Sequence, residues 1–428
     1  MGSLSTYNSY EVRKERAISF LVLISFMIQY FTDILRSNVA YVMALLFCGL
    51  LFAVSLKQTL RLRIGKTWIW VLPLLMIGIS ISRNPFDINV FADFVTYVIC
   101  FVMCAMSGSH YRNFNRSYRV IKVMSFYYAV TVWIQMLLPS VYSYYLHLMP
   151  ENIQSQITSQ YRRLAFTGFS SNLAFTAGHI LLGILVLLLF EKRRGRFWSF
   201  TLIFFVVTLM MTGKRSTFLF LIIALMAGYL ANTAGRQRIN RIFYITLAVV
   251  LALLLIVVFK EQLRNVPVLN RIIETVEGLQ QGEDISSTRS VIYLYALGLF
   301  RENPIWGIGW GQFRDTTLGH ITWVNTVEVH NIYLQLLCEV GIVGFAIMII
   351  PMIASLVMSY KILREASFDN NWKELTAFSF IYQVFFVLYG LVENPLYDNN
   401  FLIIYFFTIA IDFAYLRYKR NSIVKAMA

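Results

Sequence analysis

The chain has 428 residues, of which 58% are hydrophobic and only 14% charged, and its mean hydropathy is +0.63. A soluble globular protein carries about a quarter charged residues, so this balance excludes that class and indicates an all-α polytopic membrane protein. The formal charge of +15 does not indicate nucleic acid, because the basic residues are spread through many short loops and form no patch.

In chain order, the first segment is polar, then basic, then apolar, with no small-residue cleavage site after a short apolar core. It reads as a cytoplasmic tail entering an uncleaved first span. Runs able to span about 30 Å of hydrocarbon lie near 17–35, 38–56, 67–82, 90–106, 120–138, 172–190, 197–212, 216–231, 242–259, 331–358, 374–391 and 400–416. That makes about 12 transmembrane helices, those near 67–82, 197–212 and 216–231 being short. With both termini inside, 25 of the 37 Lys and Arg fall in inside segments, and every inside loop carries at least three. An odd number of spans would lose that pattern. The four cysteines, Cys48, Cys100, Cys104 and Cys338, sit in apolar segments without metal-ligand spacing and read as small buried hydrophobes.

Two long outer segments follow from this topology, one at 139–171 and one at 260–330. The flanks of the second, VLNRIIETVEGL and SVIYLYALGLFREN, have helical spacing suited to the membrane surface. The expected architecture is therefore one transmembrane domain with a small external helical loop domain.

Basic residues on the outer side run against the positive-inside rule. Arg162 and Arg163 precede FTGFSSNLAF, Lys214 and Arg215 sit in the tight turn TGKRST, and Arg289 sits in SSTRSVIY. Charges at a membrane edge are costly, and the planar guanidinium fork suits phosphate or pyrophosphate. The blander reading, that they snorkel or pair with Glu283 and Asp284, is weakest for Lys214 and Arg215, which stand side by side.

His330 opens the run HNIYLQLLCEVGIVG. A lone histidine at a helix start is often only an interfacial residue. A helix N-terminus disfavours imidazolium, however, and a neutral imidazole can act as a base. On a helical wheel Gly341 and Gly344 fall near His330, so a neighbouring helix is expected to pack beneath it, with Glu339 on the opposite face. His320 is a weaker candidate. ENPIWGIGWGQF, residues 302–313, reads as a glycine-rich turn with exposed backbone amides, and ENPLYDNN, 393–400, as a second polar turn carrying Glu393 and Asp398. D-x-D, HExxH, GxSxG and Walker A patterns are not found, so neither a metal nor a cofactor is expected.

Together these residues resemble the O-antigen ligase and polysaccharide polymerase superfamily. His330, Asn331, nine residues, then Gly341-Ile342-Val343-Gly344 match the ligase signature of histidine, a small polar residue and G-x-x-G. TRSVIYLYALGLFRENPIWGIGWGQF resembles the family's arginine-led helix and following turn, TGKRSTFL its short T-x-x-R turn, and RRLAFTGFSSNLAF its arginine-led outer segment. The likeness is clear over 160–350 and elsewhere rests on hydropathy. It implies a fold akin to the GT-C glycosyltransferases, at the outer face of the bacterial inner membrane. It implies a donor of glycan on undecaprenyl pyrophosphate, a glycan or lipid acceptor, surrounding membrane lipids, and a chain-length regulator as a further partner. By the same resemblance His330 is the base, with Arg289 and Arg215 beside it in catalysis. Arg163, Arg162, Lys214, Arg215 and Arg289 hold the pyrophosphate. Asn331, Gly341, Gly344 and Glu393 support the acceptor or the site.

The expected activity is polymerisation of repeat units, ENPLYDNN resembling the polymerases more closely. The alternative is ligation to lipid A–core. A flippase of the same lipid is a third reading, but a transporter places its ionisable groups near the bilayer midplane, whereas the candidates here gather at the outer surface.

Overall fold

The structure, a computed structural model, describes residues 9–54, 65–85, 87–108, 110–162, 165–191, 195–231, 262, 264, 266–281, 289–320 and 328–427. The described residues form helices and short turns, with no strand. This is the economical solution for so apolar a chain, since a helix satisfies its own backbone in a medium without water.

Six helical stretches are long and apolar enough to cross a membrane: Val12–Ile34, Ile88–Ala105, Tyr111–Leu137, Leu173–Phe190, Ile332–Ala366 and Asn399–Val424. Asn38–Leu50, Thr67–Arg83, Arg196–Met211 and Arg215–Ala231 are apolar but shorter. Of the runs read from the sequence, the one at 242–259 lies outside the described residues.

In chain order the helices are α1 (Ser9–Gln29), α2 (Asn38–Val54), α3 (Val71–Arg83), α4 (Ile88–Met106), α5 (Asn115–Leu137), α6 (Pro139–His147), α7 (Glu151–Arg162) and α8 (Leu173–Phe190). They continue as α9 (Arg196–Met211), α10 (Arg215–Ala231), α11 (Pro267–Gln281), α12 (Arg289–Glu302), α13 (Phe313–His320), α14 (Ile332–Ala366), α15 (Lys373–Tyr389) and α16 (Asn399–Met427).

The last helix is the axis of the bundle. α16 packs against α4, α15, α1 and α14, while α5 lies between α1 and α8. Small residues let these apolar helices approach, because lipid gives them no hydrophobic reason to associate. A Cβ on Gly178 of α8 would stand 2.6 Å from the Phe401 ring of α16, and one on Gly228 would stand 2.5 Å from Ile381 of α15. At the far end from the site, Arg417 of α16 donates to the carbonyls of Cys104 and Ala105 at 3.0 and 2.7 Å. It thereby caps the C-terminus of α4, where a cation complements the helix dipole. The four cysteines are buried and unbridged.

The first outer segment folds as α6 and α7, followed by a stretch that re-enters the bundle. There the Gly168 amide donates to Gln135 at 2.7 Å, and the Thr176 hydroxyl to the Thr167 carbonyl at 2.5 Å. In the second, both apolar-spaced flanks are helical, as α11 and α12, and α12 packs on α14.

Candidate active site

The site forms where the turn after α9, the start of α12, the start of α14 and the α15–α16 turn meet. Gly213 ends α9 in the left-handed region at φ 67°. A side chain is strained there, so glycine makes a tight reversal that points Lys214 and Arg215 back toward the bundle. The reversal is clasped from outside: Arg215 donates to the Arg271 carbonyl of α11 at 2.8 Å, and Arg271 to the Gly213 carbonyl at 3.2 Å.

Glu393, in the α15–α16 turn, is the centre. It is 7% exposed and meets three groups on three different elements. Lys214 pairs with its Oε1, Arg289 approaches the same oxygen at 3.5 Å, and His330 Nδ1 lies 3.2 Å from Oε2. Arg289 also donates to the neighbouring Val392 carbonyl at 3.0 Å. Burial pushes the Glu393 carboxyl up, but Lys214, the His330 hydrogen bond and charge, and Arg289 outweigh it and hold the group well below the usual carboxylate range. Five residues on, burial together with Glu328 and Glu393 drives Asp398 well above its ordinary value.

His330 does not lie on the helix that follows it. Asn331 caps α14, its side chain accepting from the amides of Tyr333 and Leu334 at 3.0 and 3.1 Å. His330 precedes that cap, with φ 55°. A non-glycine residue in this region is uncommon and costs about 1 kcal/mol or more, so it persists only where its surroundings fix it. Here the flanking backbone is stapled down. The Ile332 amide donates to the Gly390 carbonyl at 2.9 Å, Asn331 to Leu391 at 3.2 Å, and the Tyr293 hydroxyl of α12 to His330's own carbonyl at 3.3 Å. Because Glu393 is ionised, it is the acceptor and His330 Nδ1 the donor of their hydrogen bond.

The expected packing of a neighbouring helix beneath His330 is corrected by the helix itself. α14 breaks at Gly341, where φ is 65° and ψ −172°, and the wheel does not continue across a break or back to a residue outside the helix. The glycine-rich 304–311 turn fills the break. The amides of Ile308 and Gly309 donate to the carbonyls of Cys338 and Glu339 at 3.0 and 2.7 Å, and the Ile342 amide to Pro304 at 2.9 Å. A Cβ on Gly341 would collide with the Ile305 carbonyl. The backbone amides of this turn, expected to be exposed, are therefore consumed inside the protein. Gly344 sits below, where a Cβ would meet Met76 of α3 at 2.8 Å.

Glu339, placed by the wheel away from the site, is the residue the sequence undervalued. Fully buried, its carboxylate accepts from the amides of Gly311 and Phe313 at 2.8 and 3.2 Å, and from the Tyr397 hydroxyl at 2.6 Å. It ties the glycine-rich turn to the α15–α16 turn. The available signal was a charged residue inside an otherwise apolar run, a pattern that marks a partnered group.

The structure brings Lys214, Arg289, His330 and Glu393 together, with Arg215 beside Lys214 on the chain and close enough for its charge to act on that of Arg289. Asn331, Gly341 and Gly344 shape the turn entering α14 and the break within it. Arg162 ends α7, and Arg163 lies outside the described residues. His320 ends α13.

The described residues thus set a His–Glu pair among cations in a helical membrane protein. Residues 200–349 match the family model described as O-Antigen ligase, a span that includes Lys214, Arg215, Arg289 and His330. That match supports the O-antigen ligase and polymerase superfamily to which the motifs pointed. None of the curated proteins compared with the chain matches it.

Proposed function

We propose that the chain is a polysaccharide repeat-unit polymerase, transferring a glycan from undecaprenyl pyrophosphate to a hydroxyl of another lipid-linked repeat unit. The observation that carries this reading is the His330–Glu393 hydrogen bond flanked by Lys214 and Arg289. His330 Nε2 takes the acceptor's hydroxyl proton as the oxygen attacks the anomeric carbon. The bond from that carbon to the pyrophosphate oxygen breaks, and the electron pair leaves with the pyrophosphate. Glu393 fixes the imidazole's orientation and stabilises the imidazolium that forms. Lys214, Arg289, Arg215 and, by the family likeness, Arg163 neutralise charge that grows on the leaving group, which is where fixed cations lower a barrier most.

On this reading the site lies at the outer face of a bacterial inner membrane, in a GT-C-like bundle of about 12 spans with both termini in the cytoplasm. The matched family's description favours a second reading, ligation of the finished glycan to lipid A–core. The glycan profile of a deletion strain separates the two. Single repeat units on the final acceptor, lengthened again by the wild-type chain and not by His330→Ala, establish the polymerase. Long chains accumulating on undecaprenyl pyrophosphate beside bare acceptor establish the ligase. Unflipped lipid-linked repeats on the cytoplasmic side would contradict both.

A further inference from the structure

A second, polar cleft of about 160 Å³ opens beside the His330 site, between the ends of α1, α2, α4, α14 and α16. That is many times the room a single water requires. It joins the site through Glu328, which lines the cleft and accepts from the Asn394 side chain at 3.2 Å, next along the chain from Glu393. Its wall is unlike the cationic site. Asp87, Asp93 and Glu328 line it against one basic side chain, Arg314. Carboxamides alternate with the acids: Asn38 donates to Asn89 at 2.5 Å, and Asn89 to Asp87 at 3.0 Å. Asn399 adds a buried side-chain oxygen with no hydrogen-bond partner among the described residues.

Carboxyl and amide oxygens set side by side accept from neighbouring hydroxyls, and an anion brought beside the Asp87 and Glu328 carboxylates is repelled. We propose that this cleft is a subsite for the acceptor glycan, taking sugars that are neutral or bear an amine and turning away acidic ones such as uronic acids. The inference rests on the glycosyl-transfer reading for the word acceptor, but the cleft's chemistry stands on its own lining. It divides the work by charge: the donor's pyrophosphate belongs to the cationic site, and the incoming sugar to the acidic cleft a few residues away. A free pyrophosphate is thereby kept out of the acceptor's place.

The test uses the full-length protein in nanodiscs without donor, and saturation-transfer NMR with three disaccharides: cellobiose, the disaccharide of glucosamine, and digalacturonic acid. The first two should bind and the third should not. In Glu328→Gln/Asp93→Asn, affinity for the glucosamine disaccharide should fall at least fivefold and digalacturonic acid should begin to bind. Arg314→Gln, which removes a cation instead, should leave digalacturonic acid excluded. Equal binding of all three by the wild type, binding of none, or an unchanged preference in the double variant overturns the proposal. Because no donor is present, such a result leaves the glycosyl-transfer reading intact. That reading fails separately, if His330→Ala retains turnover of lipid-linked donor.

Discussion

Glu393 pairs with Lys214 and Arg289 and holds His330, so its removal leaves two cations partly buried without their counter-charge. Glu393→Gln should cost about 2 kcal/mol of stability, below the full value for a buried pair because Lys214 and Arg289 keep some solvent. The pH dependence has a definite sign. The folded carboxyl titrates below its unfolded value, so its contribution is complete above the ordinary glutamate pKa of about 4.3 and is lost as pH falls through the folded value. The difference in Tm between wild type and Glu393→Gln should narrow as pH falls below about 4.3. A gap that did not narrow in that range would mean that Glu393 is not held ionised by its neighbours. Catalysis separates the roles further. His330→Ala should lower kcat by about 10²–10⁴-fold, the usual worth of a general base, with donor binding nearly unchanged. Arg289→Ala should weaken both donor binding and turnover, and Arg289→Lys should restore charge without the planar fork.

At the scale of elements, the interlock between the 304–311 turn and the break in α14 is the feature most exposed to a single methyl group. Gly341→Ala places a side chain at positive φ and against the Ile305 carbonyl. The expected cost is at least about 3 kcal/mol, combining the strained backbone with the displaced turn, and would be read as a large fall in Tm in detergent. Glu339→Gln keeps the volume but turns two of the carboxylate's amide and hydroxyl contacts against a carboxamide NH₂, and should loosen the turn without touching His330. The sequence disclosed the two motifs of this interlock separately. G-x-x-G looked like a helix-packing face and N-P-x-x-G-x-G like a turn, because a helical wheel assumes the regular helix that Gly341 interrupts. That each is glycine-rich because of the other is a contact between residues some thirty positions apart, which spacing alone does not reveal. The same limit applies to Glu393: the sequence placed it in a polar turn, and only the fold brings it to His330, 63 positions earlier.

Over the whole molecule, hydropathy located the helices well, since lipid leaves the backbone no alternative to helix. It did not by itself separate long crossings from shorter apolar helices: α10 and α15 are 17 residues each, α10 packing chiefly on α15 and α15 also meeting α14 and α16. The cations read from the sequence as departures from the positive-inside rule include Lys214, Arg215 and Arg289, which lie at the candidate site. The proposed orientation can be checked by labelling. The native cysteines are buried and contribute little background. Ser155→Cys on α7 should react with a membrane-impermeant maleimide in intact cells, and Ser422→Cys at the end of α16 only after permeabilisation. The reverse pattern would invert the topology.

The central claim, that the His330–Glu393 pair moves glycan from a lipid pyrophosphate, is tested most directly by supplying purified protein in nanodiscs with a lipid-linked repeat unit and following chain length together with released undecaprenyl pyrophosphate. Wild type should lengthen the glycan and release one lipid pyrophosphate per bond formed, Glu393→Gln should do so more slowly, and His330→Ala should bind the donor without turning it over. Release and chain growth by His330→Ala at the wild-type rate would contradict the account.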